Sequence, residues 1–112
     1  MKDLTIEEIS NIKYLYHATP YSNLGQILSQ GITPYGEGIY LADSYQNAAK
    51  FLLLRSSKVL VFKIKASKLD KKQLQESFDH SYNFFQCRAY IYTSGIIPTN
   101  ILDLNSVRVF GS

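Results

Sequence analysis

Hydrophobic and polar positions along the chain follow two different periods, which predicts both helices and strands. Stretches 22–31 and 45–55 repeat apolar residues every three or four positions, as amphipathic helices do. Stretch 58–66, KVLVFKIKA, is rich in β-branched residues and ends by alternating apolar residues with lysine. This alternation predicts a strand with one face in the core and the other in water.

Capping residues mark where the predicted helices begin and end. Thr5 and Glu8 have capping-box spacing and predict a short N-terminal helix. Ser22 is a candidate N-cap for the second helix, and Gly31 stands where a C′ glycine is expected. The pair Asp43-Ser44 can cap the third helix, which we expect to run to about residue 55.

The remaining segments complete the predicted fold class. YLYHA, GIYLA and CRAYIYT read as strands, and 96–110 supplies one or two more. SKLDKKQLQESF is interpreted as a further helix because Leu74 and Phe78 are four residues apart, whereas HSYNFFQ fits either a loop or a strand. Strands gathered at the end of the chain predict one α+β domain over residues 1–112, with short helices on a mixed, mostly antiparallel split sheet.

Composition narrows the class of protein. Apolar residues make up 46% of the chain and charged residues 19%, as in a globular domain. The single cysteine, Cys87, permits no intramolecular disulfide, and no stretch approaches the length of a membrane helix. The start MKDLTIEEIS has no apolar signal-peptide region. We therefore expect a cytoplasmic protein without a membrane partner.

The charge is uneven along the chain. The net charge is +3, and eight of the twelve basic residues fall between Lys50 and Lys72. Such a cluster can attract phosphates or an acidic partner, but a solvated lysine-rich face is the more common meaning of this pattern. No RNP, KH or helix-turn-helix signature accompanies it, so nucleic-acid binding is not favoured as the primary role.

Four short motifs occur in an order that resembles the catalytic core of ADP-ribosyltransferases of the diphtheria-toxin and poly(ADP-ribose) polymerase type. They are YHAT at 16–19, ILSQGI at 27–32, GIYLAD at 38–43 and AAKF at 48–51. Each motif alone is weak, because a histidine at a strand end is usually structural. The resemblance covers roughly residues 14 to 53 and implies the fold of that family, with NAD as substrate.

The resemblance also implies roles for individual residues. His17 would hydrogen-bond a ribose hydroxyl of the adenosine half, and the backbone of Ala18, next to Thr19, would hold the nicotinamide carboxamide. Tyr40 and Phe51 would enclose the cationic nicotinamide ring between their π faces. Phe51 replaces the usual tyrosine, which preserves the stacking face.

Two departures from the family pattern concern NAD binding. The loop that adds contacts to the dinucleotide is shortened to 33–37, with Tyr35 as its only aromatic ring. Ala48 stands where the polymerase type has a serine that holds the carboxamide, although the diphtheria-toxin type also has alanine there. The shortened loop implies an open cleft that accepts either NAD or another ADP-ribose derivative, and Ala48 indicates a subtype within the family.

A third departure concerns catalysis. The family's catalytic glutamate precedes a Tyr-Ile strand segment, and the matching residue here is Ala89. Loss of one such electrostatic contact costs on the order of 10²–10³ in rate. Gln86 is the candidate substitute if the strand is irregular there, Glu76 is a second candidate, and Arg88 is a candidate phosphate contact.

The sequence therefore supports two leading hypotheses. The first is a mono-ADP-ribosyltransferase that modifies a protein or nucleic-acid acceptor, with His17, Tyr40 and Gln86 as candidate catalytic residues. The second is a non-catalytic domain of the same fold that binds NAD or an ADP-ribose-containing nucleotide. An RNA 2′-phosphotransferase of related fold relies on several arginines, and only Arg55, Arg88 and Arg108 exist here.

Overall fold

A computed structural model describes residues 2–36, 38–77 and 89–111. The described chain contains seven strands, three α-helices and several short 3₁₀ turns. The helices are α1 (Ile6–Asn11), α2 (Leu24–Gln30) and α3 (Tyr45–Leu53). The strands are β1 (Lys2–Asp3), β2 (Tyr14–Pro20), β3 (Ile39–Ala42), β4 (Lys58–Lys65), β5 (Leu74–Ser77), β6 (Ala89–Tyr92) and β7 (Leu102–Gly111).

One sheet holds all seven of these strands, in the order β1-β5-β6-β3-β2-β4-β7. Every pairing between them is antiparallel. The α+β class and the antiparallel sheet are confirmed, whereas the parallel component expected of a mixed sheet does not occur among the described strands. None of the helices in the described part of the chain is long and apolar enough to cross a membrane.

The two faces of the sheet pack against different helices. On one face, which we call the α2 face, Leu15, Phe62 and Ile64 are fully buried and pack in a cluster with Ile27 of α2. On the other, the α3 face, Val59 and Val61 pack against Ala48 and Ala49 of α3 and against Ala42. Alternate residues of β2 and β4 therefore point to opposite cores, as strand geometry requires.

Capping residues set two of the three helix starts as predicted. The Thr5 hydroxyl accepts from the Glu8 backbone N–H, and the Glu8 carboxylate accepts from the Thr5 backbone N–H. The Ser44 hydroxyl accepts from the backbone N–H of Asn47. The predicted cap at Ser22 is wrong, because a 3₁₀ turn over Tyr21–Asn23 precedes α2. Asn23 takes the N-cap position without a capping bond, since its side-chain amide donates to Thr19 instead.

The helix predicted over SKLDKKQLQESF is also wrong as far as Ser77. Short 3₁₀ turns at Ala66–Lys68 and Lys71–Gln73 lead into strand β5. Leu74 is buried and lies opposite Tyr92 of β6, so pairing in the sheet overrides the four-residue spacing of apolar residues. Residues 78–88, which include HSYNFFQ and the first two residues of the predicted strand CRAYIYT, lie outside the described residues.

The C-terminal segment forms one strand, β7, with a wide irregularity in it. Arg108 lies opposite Val61 and Asp103 lies opposite Lys63, so five residue steps of β7 match two steps of β4. The three extra residues bulge out of the ladder, and Tyr45 of α3 donates a 2.6 Å hydrogen bond to the Ser106 carbonyl there. Such bulges protect an edge strand from pairing with another chain.

Gly31 ends α2 in a conformation that favours glycine, and its replacement gives a stability prediction. Its φ is 82°, and an added Cβ would collide with the backbone carbonyl oxygen of Ile97. Gly31→Ala should therefore lower the free energy of unfolding by at least about 1–2 kcal/mol, measured by chemical denaturation.

The matched control is Gly25→Ala in the same helix, where an added Cβ meets nothing within 4 Å. This variant should raise stability by about 0.5–1 kcal/mol, because alanine loses less backbone entropy than glycine in a helix. Equal effects of the two substitutions would contradict the assigned role of Gly31.

Candidate functional site

The candidate site is a split between the neighbouring strands β2 and β3. Along its whole length β2 pairs with β4, from Tyr14 opposite Lys65 to Pro20 opposite Val59. With β3 it shares a single register pair, Tyr16 opposite Ala42. Beyond that pair the two strands separate, and every second residue of β2 directs its backbone N–H and C=O toward the gap.

His17 bridges this split with its side chain. Its Nδ1 lies 2.9 Å from the Tyr40 carbonyl oxygen. Because a carbonyl oxygen only accepts, Nδ1 carries the proton, and Nε2 of the neutral ring is an acceptor. The ring thus replaces a ladder hydrogen bond between the strands and fixes its own tautomer.

The protonation state of His17 follows from its surroundings. Burial lowers the pKa of His17 below its ordinary value of 6.5, and the hydrogen bond to the Tyr40 carbonyl opposes this effect only in part. The imidazole is therefore neutral at pH 7, with Nε2 able to accept a hydrogen bond from a ligand hydroxyl.

Tyr40 and Phe51 lie on the same side of the sheet. Tyr40 alternates with Leu41 and therefore shares the α3 face with Ala42, while Phe51 of α3 packs against the cluster that contains Ala42. Both rings are half-buried. The structure therefore brings the two predicted stacking residues to one face, with α3 supplying one ring and β3 the other.

Ala18 and Thr19 follow His17 along the edge of the split that β2 forms. Ala18 packs against the core beneath α3, and Thr19 is buried on the α2 face with His17. The Thr19 hydroxyl accepts a 3.1 Å hydrogen bond from the Asn23 side chain. Sequence reasoning missed Asn23, although its position four residues after Thr19, at a helix start, was the available signal.

Tyr35 and Ala48 occupy very different environments. Tyr35 is 88% exposed in the turn before β3, where its backbone pairs with that of Gly38. Ala48 is only 1% exposed, and its methyl group packs in the core between α3 and the sheet. Tyr35 is accessible to a ligand and the Ala48 side chain is not.

Ala89, which the resemblance aligns with the catalytic glutamate, is only 1% exposed. Ala89 pairs with Ala42, and Tyr40 pairs with Ile91, so Ala89 and Tyr40 both point to the α3 face. Glu76 lies opposite Tyr90 and therefore points to the α2 face, away from Tyr40. Gln86 and Arg88 lie outside the described residues.

The basic residues between 50 and 72 do not form one surface. Lys58 and Lys65 lie at opposite ends of β4, roughly 24 Å apart at about 3.4 Å per strand residue. Lys50 projects from α3, whereas Lys68 and Lys72 lie near the turns before β5. The clustering in sequence is therefore dispersed by the fold.

Comparison with known proteins adds no family to this geometry. No protein-family model matches the chain, and no curated protein matches its sequence significantly. Within the described ranges, no three histidine, cysteine or acidic side chains come together as metal ligands would. The arrangement of His17, Tyr40, Phe51 and Ala89 is thus the basis for assigning a function.

Proposed function

We propose that this domain binds NAD in the split between β2 and β3. The observation that carries the proposal is the bond from His17 Nδ1 to the Tyr40 carbonyl, because it holds the ring at the split with Nε2 as an acceptor. A ribose hydroxyl is a suitable donor to that nitrogen. Similarity to the ADP-ribosyltransferase core assigns the same role to this histidine.

The two ends of NAD fit opposite sides of the split. His17 and Thr19 belong to the α2 face of β2, whereas Tyr40 and Phe51 belong to the α3 face. In this proposal the adenosine ribose contacts His17, and the dinucleotide passes between the strands. The nicotinamide ring then lies against Tyr40 and Phe51, whose π faces attract its positive charge.

Mono-ADP-ribosyl transfer is the second candidate function, with a protein or nucleic acid as acceptor. It is favoured by the position of Ala89, the first residue of β6, whose side chain lies on the same face of the sheet as that of Tyr40. Ala89 itself supplies no carboxylate, so an acceptor carboxylate or Gln86 has to stabilise the developing positive charge. For this reason, binding ranks above transfer in our proposal.

The proposed setting is the cytoplasm. Cys87 is the only cysteine of this sequence, so no internal disulfide can form and none requires an oxidising compartment. NAD is a substrate or ligand in this proposal, and no metal is required for either function.

Calorimetric titration with NAD tests the proposal. The unmodified chain should bind NAD, and Tyr40→Ala should weaken binding by about tenfold, because one stacking face for the nicotinamide ring is lost. Tyr14→Ala, which removes a 43% exposed ring that takes no part in the proposed NAD contacts, is the matched control. Nicotinamide release together with labelling of a macromolecule in a cell lysate by NAD-derived ADP-ribose separates transfer from binding. Failure of the unmodified chain to bind NAD refutes both.

A further inference from the structure

A row of tyrosines and cations on the α3 face takes no part in the proposed NAD contacts. Tyr14 and Tyr16 lie opposite Lys65 and Lys63, which places all four on this face. The Lys63 ammonium lies 4.1 Å from the centre of the Tyr14 ring. The row continues through Tyr45, whose ring centre is 4.6 Å from that of Tyr16 and 4.1 Å from the Arg108 guanidinium. We call it the tyrosine–cation strip: Tyr14, Tyr16, Tyr45, Lys63, Lys65 and Arg108.

The outer end of the strip is accessible. Tyr14 is 43% exposed and Lys65 beside it is exposed, and Arg108 at the opposite end of the strip is exposed as well. The inner end is anchored, since Tyr45 is buried and donates to the Ser106 carbonyl. The strip thus combines a buried, hydrogen-bonded tyrosine, Tyr45, with the exposed ring of Tyr14 and the exposed cations of Lys65 and Arg108.

A pocket of about 420 Å³ borders the strip. It is lined by Tyr14 and Tyr16, by Lys13, and by Glu8 and Asp43. One carboxylate oxygen of Glu8 already accepts from the Thr5 backbone and one of Asp43 from the Asn47 side chain. The volume is within the range of small-molecule sites. Aromatic walls suit a flat ring, and carboxylate oxygens accept hydrogen bonds from amino groups on a base edge.

From these features we propose that the tyrosine–cation strip binds single-stranded nucleic acid. Lysine and arginine side chains neutralise the phosphates of such a strand, and tyrosine rings stack on its bases. Lys63, Lys65 and Arg108 supply the cations, and Tyr14 supplies the exposed ring. The neighbouring pocket receives an amino-bearing base, so a cytidine strand binds more tightly than a uridine strand.

Charge distribution favours a nucleic acid over an acidic protein. Glu8 and Asp43 stand beside the strip and can accept hydrogen bonds from the amino group of a base, whereas an ionised acidic side chain has no donor to offer them. Asp103, opposite Lys63, already accepts from the Asn105 backbone and the Ser106 hydroxyl in its own bulge. An acidic peptide would gain nothing from the exposed tyrosine rings.

The strip leads toward the proposed NAD site. Tyr16 pairs with Ala42, which pairs with Ala89, so two strand spacings, or about 10 Å, separate Tyr16 from Ala89. A strand bound on the strip lies close enough to act as an acceptor. That acceptor role rests on the proposed function, whereas binding to the strip does not.

Fluorescence anisotropy with short labelled oligonucleotides, cytidine-only and uridine-only, tests the proposal without NAD. Binding should weaken with salt along a log–log slope of about −2, as expected for three neutralised phosphates of a single strand. Lys63→Gln should reduce the slope by about 0.7, and Tyr14→Ala should weaken binding about tenfold through lost stacking. Lys72→Gln, an exposed lysine outside the strip, is the matched control and should change neither.

Several outcomes overturn the proposal. They are the absence of salt-dependent binding, equal losses in Lys63→Gln and Lys72→Gln, or equal affinity for the two oligonucleotides. Binding of poly-glutamate as tightly as the cytidine strand would assign the strip to acidic proteins instead. NAD calorimetry on the same Tyr14→Ala protein should be unchanged, so failure of the strip and failure of the NAD site are separately visible.

Discussion

Replacing His17 with alanine should weaken NAD binding by about 10- to 100-fold, the effect of losing one hydrogen bond to the ligand and leaving the Tyr40 carbonyl without its donor. The His17 ring bridges β2 and β3 through its 2.9 Å bond to that carbonyl. Calorimetric titration with NAD measures the loss, and circular dichroism checks that the protein remains folded.

His17→Asn separates the structural role of the ring from its ligand contact. An asparagine amide can still donate to the Tyr40 carbonyl, but it has no group equivalent to Nε2. The variant should therefore keep most of the thermal stability and still lose about tenfold in NAD affinity. If His17→Asn binds NAD as the unmodified chain does, Nε2 does not contact the ligand.

The lowered pKa of His17 sets the pH dependence in the same experiment. Below its ordinary pKa of 6.5 the unfolded chain gains a proton on this imidazole while the folded chain does not. The contribution of His17 to the free energy of unfolding is therefore fully present above pH 6.5 and is lost as the pH falls toward the lowered pKa. NAD affinity should stay constant through neutral pH and decrease only below the lowered pKa, and His17→Asn should remove this decrease.

Ala89→Glu should raise the rate of nicotinamide release from NAD by about 10²–10³, because a carboxylate then faces the positive charge that develops as the glycosidic bond breaks. Ala89 points to the same face as Tyr40 and is only 1% exposed, so circular dichroism first has to show that each variant remains folded. Chromatography of the released nicotinamide measures the change.

Ala89→Gln is the matched control, since glutamine has the same size as glutamate and no charge. Both variants should bind NAD, and only the glutamate variant should accelerate cleavage. Equal rates in two folded, NAD-binding variants would show that position 89 does not face the nicotinamide ribose. The resemblance would then not extend to β6.

Local sequence signals determined much of the fold because they act within a few residues. Thr5, Ser44 and Gly31 mark helix ends through their own hydrogen bonds or backbone conformation. The β-branched run predicts strand β4, which is buried on both faces over 59–62 and alternates with lysine only at its C-terminal end. These features depend little on distant parts of the chain, so the sequence predicts them.

Two parts of the sheet differ from the sequence prediction because distant strands decide their conformation. Segment 74–77 carries helical spacing, yet β6 offers it a ladder of hydrogen bonds and a buried position for Leu74. The two-residue strand β1 has no signal of its own and exists because β5 presents an open edge. In both cases a partner far along the chain decides the conformation.

Some features of the candidate site were likewise determined by the sequence, and others only by the fold. The sequence by itself determined the residue types and their order: a histidine after a strand, two aromatic rings and an alanine in place of a glutamate. Only the tertiary structure decided that β2 and β3 share one register pair and that His17 bridges them. It also decided that Glu76 points to the α2 face, whereas Ala89 shares the α3 face with Tyr40. Strand register fixes which side chains share a face. The partner of each strand lies far along the chain, so the register between them is decided only when the sheet forms.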